Sequence, residues 1–166
     1  MYPKHVLLVG HGVPAADAPR ELVARLKALE GARRARGGAM SDEERALDVR
    51  LRTWPRTPSN DRYADGTERL AEALRRALPG TDVRVAYNEF CAPSVADAIR
   101  TMAAGGARAI TVVPTMLTPG GVHAEVEIPE LLDELRRELP DVELRYAWPF
   151  DLDRIAALLA ERVRAS

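Results

Sequence analysis

The stretch HVLLVGHGVPA, residues 5–15, supports two readings that lead to different folds. Gly10-His11-Gly12-Val13-Pro14-Ala15 spells G-x-G-x-x-A, the fingerprint of a dinucleotide-binding turn. The alternative is a buried strand, His5 to Val9, whose C-terminal end presents His11 between two glycines. The fingerprint needs a helix that opens within the glycine turn and aims its N–H groups at a pyrophosphate. Pro14 interrupts that turn, and Pro19 suits the first turn of a helix starting several residues later. An acidic residue at the end of the next strand, about 20 residues on, is also required. The next convincing strand begins near residue 82. The strand reading therefore stands, and no nucleotide is expected.

Three further apolar runs resemble the first: VRVAY (83–87), AITVVPTML (109–117) and VELRYAW (142–148). Runs one and three are almost continuously apolar, as strands covered on both faces are. Runs two and four alternate, which places them nearer the sheet edges. Helical patterns lie between them. PRELVARLKALEG carries Leu22, Leu26 and Leu29 on one face, and GTERLAEALRRALPG carries Leu70, Ala73, Leu74 and Leu78. SVADAIRTMAAGG starts at Ser94 and stops at Gly105-Gly106. PELLDELRRELP and DLDRIAALLAERV complete the set. Strands alternating with helices predict an α/β fold: a four-stranded parallel sheet flanked by helices on both faces, with right-handed crossovers. ALRRALPGTDVRVAY and ELRRELPDVELRYA are alike, each a helix, a proline stop and a strand, and read as one recurring unit.

At 166 residues the chain is expected to form a single domain. Residues 31–62 form an excursion longer than an ordinary βα connection. GARRARGGAM is basic and glycine-rich, TWPRTPSNDRYADG is rich in turn formers, and between them SDEERALDVRLRTW begins with Ser41 and Glu44 at capping-box spacing. Leu51 and Trp54 give that helix an apolar side to bury. The segment reads equally as a surface excursion and as a lid or partner contact. Lysine and arginine number 24 against 25 acids, and aromatics are 5%, which argues against nucleic-acid and membrane-surface binding. Cys91 is the only cysteine, so neither a disulfide framework nor a cysteine-based zinc site is expected within one chain. No apolar run nears the ~20 residues of a membrane span, and the N-terminus enters structure directly, so a cytoplasmic protein is expected.

The chemistry follows from position. His11 ends the first strand, Asn88 and Glu89 follow the second, and His123 lies in TPGGVHAEVEIPE after the third. Ligands of open α/β sheets bind outside the carboxyl ends of the strands. Strand order 2-1-3-4 would bring His11, Glu89 and His123 to one edge. Two imidazoles and a carboxylate suit a divalent transition metal, and equally serve as proton acceptors. Glu89 reads alternatively as a cap for the helix near 94. Cys91 reads as a small buried residue, Glu125 and Glu127 as solvated first-turn acids. His5, at a strand start, belongs to the opposite edge. A histidine phosphatase is not expected, because that family places arginine directly before the histidine, where this chain has Gly10.

LLVGHG, AYNEFCAPSVADAI, ITVVPTMLTPGGVHAEVEIPELL and the closing strand and helix resemble the class II tetrapyrrole chelatases, most of all the small sirohydrochlorin cobaltochelatase/ferrochelatase type. The resemblance covers residues 4–12 and about 80–163, and its most specific part is G-G-x-H followed by acid-Ile-Pro-Glu. It implies insertion of a divalent metal (cobalt, iron or nickel) into a tetrapyrrole, without ATP. The alternatives are a ferrochelatase acting on a porphyrin and a non-catalytic carrier of metal or tetrapyrrole. His11 and His123 match the paired histidines that bind metal or accept pyrrole protons, and Glu89 matches the helping carboxylate. Gly12, Gly120 and Gly121 become the small residues beside which a flat ligand approaches. Arg33, Arg34 and Arg36 read as a solvated basic run or as partners of tetrapyrrole carboxylates. One set of strands implies a homodimer with facing sheet edges. Val13 stands where the family often has serine, and Glu127 where it usually has aspartate.

Overall fold

In the computed structural model, which describes residues 4–166, four parallel strands form one sheet in the order β2-β1-β3-β4. They are β1 (His5–Gly10), β2 (Asp82–Tyr87), β3 (Ala109–Pro114) and β4 (Glu143–Tyr146). The helices are α1 (Arg20–Arg36), α2 (Asp42–Arg52), α3 (Arg62–Ala77), α4 (Val95–Ala104), α5 (Ile128–Glu138) and α6 (Leu152–Arg164). The expected class and strand order hold, and the two alternating runs do lie at the edges. Period-2 alternation divides the strand side chains between two layers. Leu7, Val9, Ile110 and Val112 pack under α4 and α5 with Ile99, Met102, Ile128, Leu132 and Leu135, forming the main core. Val6, Leu8 and Val83 point the other way, where Ala71 and Leu74 of α3 cover them.

Element boundaries depart from expectation in the excursion. The basic run GARRAR is helical: α1 runs through Gly31 to Arg36, stopping at Gly37 with φ 72°. Only half of the capping box forms. Ser41 Oγ accepts the Glu44 N–H at 3.2 Å, while the Glu44 side chain pairs with Arg33 Nε at 2.8 Å. The α3 helix starts at Arg62, not near Gly66, because Asp61 caps it by accepting the Ala64 N–H at 2.9 Å. Leu70, expected in the core, is 50% exposed, and Ala71 takes the buried position. Leu51 is fully buried with Leu26 and Phe90, and Trp54 packs alongside, so α1 and α2 share a small core of their own.

The carboxyl ends of β1 and β2 are laced beyond the strands. The Asn88 N–H donates to Gly10 O at 2.9 Å and the Glu89 N–H to His11 O at 2.8 Å. Gly12, with φ 87°, makes this approach possible: a Cβ there would lie 1.8 Å from the Glu89 carbonyl oxygen.

Candidate metal centre

His11, Glu89 and His123 meet at the carboxyl edge of the sheet, with one ligand atom from each lying within 4.8 Å of the others. The two Nε2 atoms are 3.2 Å apart. His11 Nε2 lies 3.9 Å from Glu89 Oε2, and His123 Nε2 lies 3.9 Å from Glu89 Oε1. The imidazoles stand edge to face, 78° between planes. Glu89 is buried, at 8% exposure, while both histidines remain partly open.

Hydrogen bonding at the other ring nitrogens sets the tautomers. His11 Nδ1 is 2.7 Å from Gly12 O, an acceptor only, so Nδ1 carries the proton. His123 Nδ1 is 2.6 Å from Glu127 Oε2 and donates to that carboxylate. The Asn88 amide, 2.9 Å from the same Nδ1, gives its proton instead to Glu127 Oε2 at 3.1 Å. Both Nε2 lone pairs therefore face the space beside Glu89. A pair of lone pairs at 3.2 Å repels unless a cation lies between them. One ion about 2.1 Å from each nitrogen would close the gap at an N–metal–N angle of about 100°.

His123 opens a single π-helical turn, His123–Glu127, in which the Ile128 N–H reaches back to His123 O. Such turns recur at functional sites. The turn is pinned below by the Tyr146 hydroxyl, which donates to Ala124 O at 2.8 Å. Glu127 is not a solvated acid. Burial pushes its carboxyl up, but the bonds from His123 and Asn88 and the charges of His123 and Arg34 outweigh it and hold it below the usual range. Glu125 bonds the Gly120 N–H at 2.7 Å. Gly120 and Gly121 have open space where a Cβ would stand.

Glu89 does not cap α4; Ser94 does that, accepting the Asp97 N–H. Its Oε2 instead takes the Lys27 ammonium at 2.7 Å. Lys27 also lies 3.0 Å from Glu30 Oε2 and 4.7 Å above the Phe90 ring. Arg34 pairs with Glu127, Arg33 with buried Glu44, and Arg36 is exposed. A cavity of about 380 Å³ opens beside the centre, its wall including Glu30, Arg34, Glu89, Glu127, Glu130 and Glu134. His5 lies at the far edge, 3.6 Å from Asp82. Cys91 is buried, as expected, and burial is what first raises its thiol.

Sequence reasoning missed Lys27, Tyr63, Arg52 and Arg56. Tyr63 Oη accepts the His11 N–H at 2.9 Å. Arg52 donates to Asn88 O at 2.8 Å and Cys91 O at 3.0 Å, and Arg56 to Phe90 O at 2.7 Å and Val13 O at 2.9 Å. None had a local signal. Glu127 did, since it stands four residues after His123, a spacing at which helical side chains meet.

A family model named CbiX matches residues 58–166. Among curated proteins, the chain is similar to a sirohydrochlorin ferrochelatase from Priestia megaterium, 29% identical over 106 residues, covering 61% of this chain and 40% of that protein. It is also similar to a sirohydrochlorin cobaltochelatase from Methanopyrus kandleri, 31% identical over 118 residues, covering 58% of this chain and 82% of the relative. The chain thus spans less than half of the first relative's length and most of the second's. A crystal structure from Marinobacter aquaeolei VT8, described as a cobalamin (vitamin B12) biosynthesis CbiX protein, superimposes with a TM-score of 0.56 at 20% identity. That match covers 99% of this chain and 100% of the other, and it supports the fold.

Proposed function

Because the chain belongs to the CbiX family, we propose that it inserts a divalent metal ion, cobalt or iron, into sirohydrochlorin or a related tetrapyrrole without a nucleotide. The observation that carries this reading is the pair of Nε2 lone pairs held 3.2 Å apart beside the Glu89 carboxylate. Imidazole and carboxylate together suit cobalt, iron and nickel ions. The adjoining cavity is lined by six carboxylates against three guanidinium groups, a balance that favours the approach of a hydrated cation. His11, His123 and Glu89 then replace its water ligands, and Gly120 and Gly121 leave room for a flat macrocycle to reach it.

Proton balance fits the same residues. Metal insertion replaces two pyrrole N–H protons with one doubly charged ion. Once the ion passes into the macrocycle, both Nε2 atoms are vacated, and each accepts one proton. Glu127, ionised at neutral pH, stabilises the imidazolium formed at His123 through its Nδ1–H. A homodimer, each copy supplying part of the cleft, and a cytoplasmic location belong to the same reading.

Anaerobic sirohydrochlorin mixed with Co²⁺ and protein should shift its absorption bands faster than with Co²⁺ alone. His11→Ala and His123→Ala should each lower that rate by about 10²–10⁴-fold with the far-UV circular dichroism unchanged. Full activity in either variant removes that histidine from the mechanism. Faster insertion into a porphyrin than into sirohydrochlorin would make the protein a ferrochelatase. Tight Co²⁺ binding with no acceleration for any tetrapyrrole would make it a carrier.

A further inference from the structure

Glu127 receives donors from three separate parts of the chain. His123 Nδ1 and the Asn88 amide both reach its Oε2, at 2.6 and 3.1 Å. Its other oxygen, Oε1, takes Arg34 Nη2, from 93 residues earlier in the sequence. Arg34 belongs neither to the sheet nor to the loops that carry His11, Glu89 and His123. It arrives from the last turn of α1, inside the excursion.

The approach of Arg34 is built into the packing of α1. A helix directs each side chain once its register is fixed. Leu26 of α1 and Leu51 of α2 are buried in one small core. Arg33 Nε holds the buried Glu44 carboxylate of α2 at 2.8 Å. The end of α1 is thus clamped one residue before Arg34. If α1 stopped at Gly31, where its apolar pattern closes, no guanidinium would be carried to Glu127.

We propose that Arg34 is a positioning residue for the metal centre: by holding Glu127 Oε1 it fixes the carboxylate that orients His123. The role rests on the metal-insertion reading above. The terminal torsion of a free glutamate is broad. Donors on both oxygens confine it to one setting. A group that holds the remote nitrogen of a metal-binding imidazole sets the direction of the ring and its strength as a ligand. Arg34 acts on His123 at one remove, through that group. Two departures of this chain from the pattern it resembles are thereby joined. Glu127 is one methylene longer than the usual aspartate, and the excursion lengthens α1. Shortening the side chain by one C–C bond, about 1.5 Å, would withdraw the carboxylate from His123 or from Arg34.

The direction of the effect separates positioning from charge. As a cation near the centre, Arg34 opposes a metal ion, and removing it would tighten binding. As a positioning residue, its removal weakens binding. Titration calorimetry with Co²⁺ reads the difference. Arg34→Met should weaken Co²⁺ binding by about 3–10-fold, less than the roughly 10–100-fold commanded by a direct partner of the imidazole. The visible bands of bound Co²⁺, which report ligand geometry, should move in the same variant. The Arg34 side chain is 45% exposed, so its urea midpoint should stay at the wild-type value. Glu127→Asp should weaken binding as well, and in that background Arg34→Met should add less than about twofold, because residues acting through one another are not additive. Tighter or unchanged binding in Arg34→Met, or full additivity of the two substitutions, overturns the positioning role and leaves the metal centre standing. A wild type that binds no Co²⁺ overturns both.

Discussion

Gly12 shows how a residue's meaning changes once its neighbours are known. The sequence offers it as room for a flat ligand, yet its missing side chain faces the Glu89 carbonyl, 1.8 Å from where a Cβ would be. Its smallness lets the loops that carry His11 and Glu89 join. Lys27 has the converse history: nothing local marks it, and folding lays it on Glu89 at 2.7 Å. Burial pushes its ammonium down, but the bonds and charges of Glu89 and Glu30 outweigh it, so it stays above the ordinary lysine range and charged at neutral pH. In the proposed reaction the ammonium would therefore compete with an incoming metal ion for the same carboxylate. Lys27→Met should tighten Co²⁺ binding by at least about tenfold in titration calorimetry, since unit charges 4 Å apart near a protein surface interact by about 4 kcal/mol. Unchanged or weaker binding would show that Lys27 positions Glu89 without opposing the ion. His11, Glu89 and His123 were legible because each closes a strand and the strand order fixes their edge. Lys27, Tyr63 and the arginines were not, because the site groups they bond (Glu89, His11 and the carbonyls of Asn88 and Phe90) lie more than 30 residues away from them, and no periodicity encodes a tertiary hydrogen bond.

The α1–α2 excursion is a brace on the site. Arg52 follows the apolar positions of α2 and turns its guanidinium onto the carbonyls of Asn88 and Cys91. Arg56, just beyond, binds the carbonyls of Phe90 and Val13 and the buried Asp61 carboxylate, at 2.5 Å. Together they hold the loop that carries Glu89, in which Phe90 adopts the left-handed φ of 57°. Removing one partner of a buried charge pair costs about 3–5 kcal/mol. Arg56→Met should therefore lower unfolding stability by that amount in urea, and Co²⁺ affinity should fall with it; a loss under about 1 kcal/mol would mean that the loop holds itself. The repeated helix–strand unit was legible in more detail than expected. Leu78 and Leu139 end their helices alike, donating to Leu74 O and Leu135 O. Arg75 and Arg136 each donate to the following strand, at Val83 O and Leu144 O. The α1 helix runs past Gly31, where the PRELVARLKALEG pattern closes. In a helix packed through Leu26, one exposed glycine costs only about 1 kcal/mol.

Strand order concentrates the chemistry at one edge, and the distribution of helices leaves the sheet half covered. Two helices, α4 and α5, bury one face of the sheet, whereas α3 alone covers the other. A sheet with one face open to water loses the apolar burial that holds a chain of this size together. In the homodimer reading a second copy supplies it, so that folding and association would become one equilibrium. That coupling has a thermodynamic signature. If the folded state is a dimer and the unfolded state two separate chains, mass action makes stability depend on protein concentration. Each tenfold increase in concentration should then favour the folded dimer by about 1.4 kcal/mol. Urea midpoints measured from about 1 to 100 micromolar, with no other variable changed, should rise steadily for the wild type. A wild-type midpoint that does not move would mean that the half-covered sheet is borne by a single chain, and that α3 with the main core suffices to hold it.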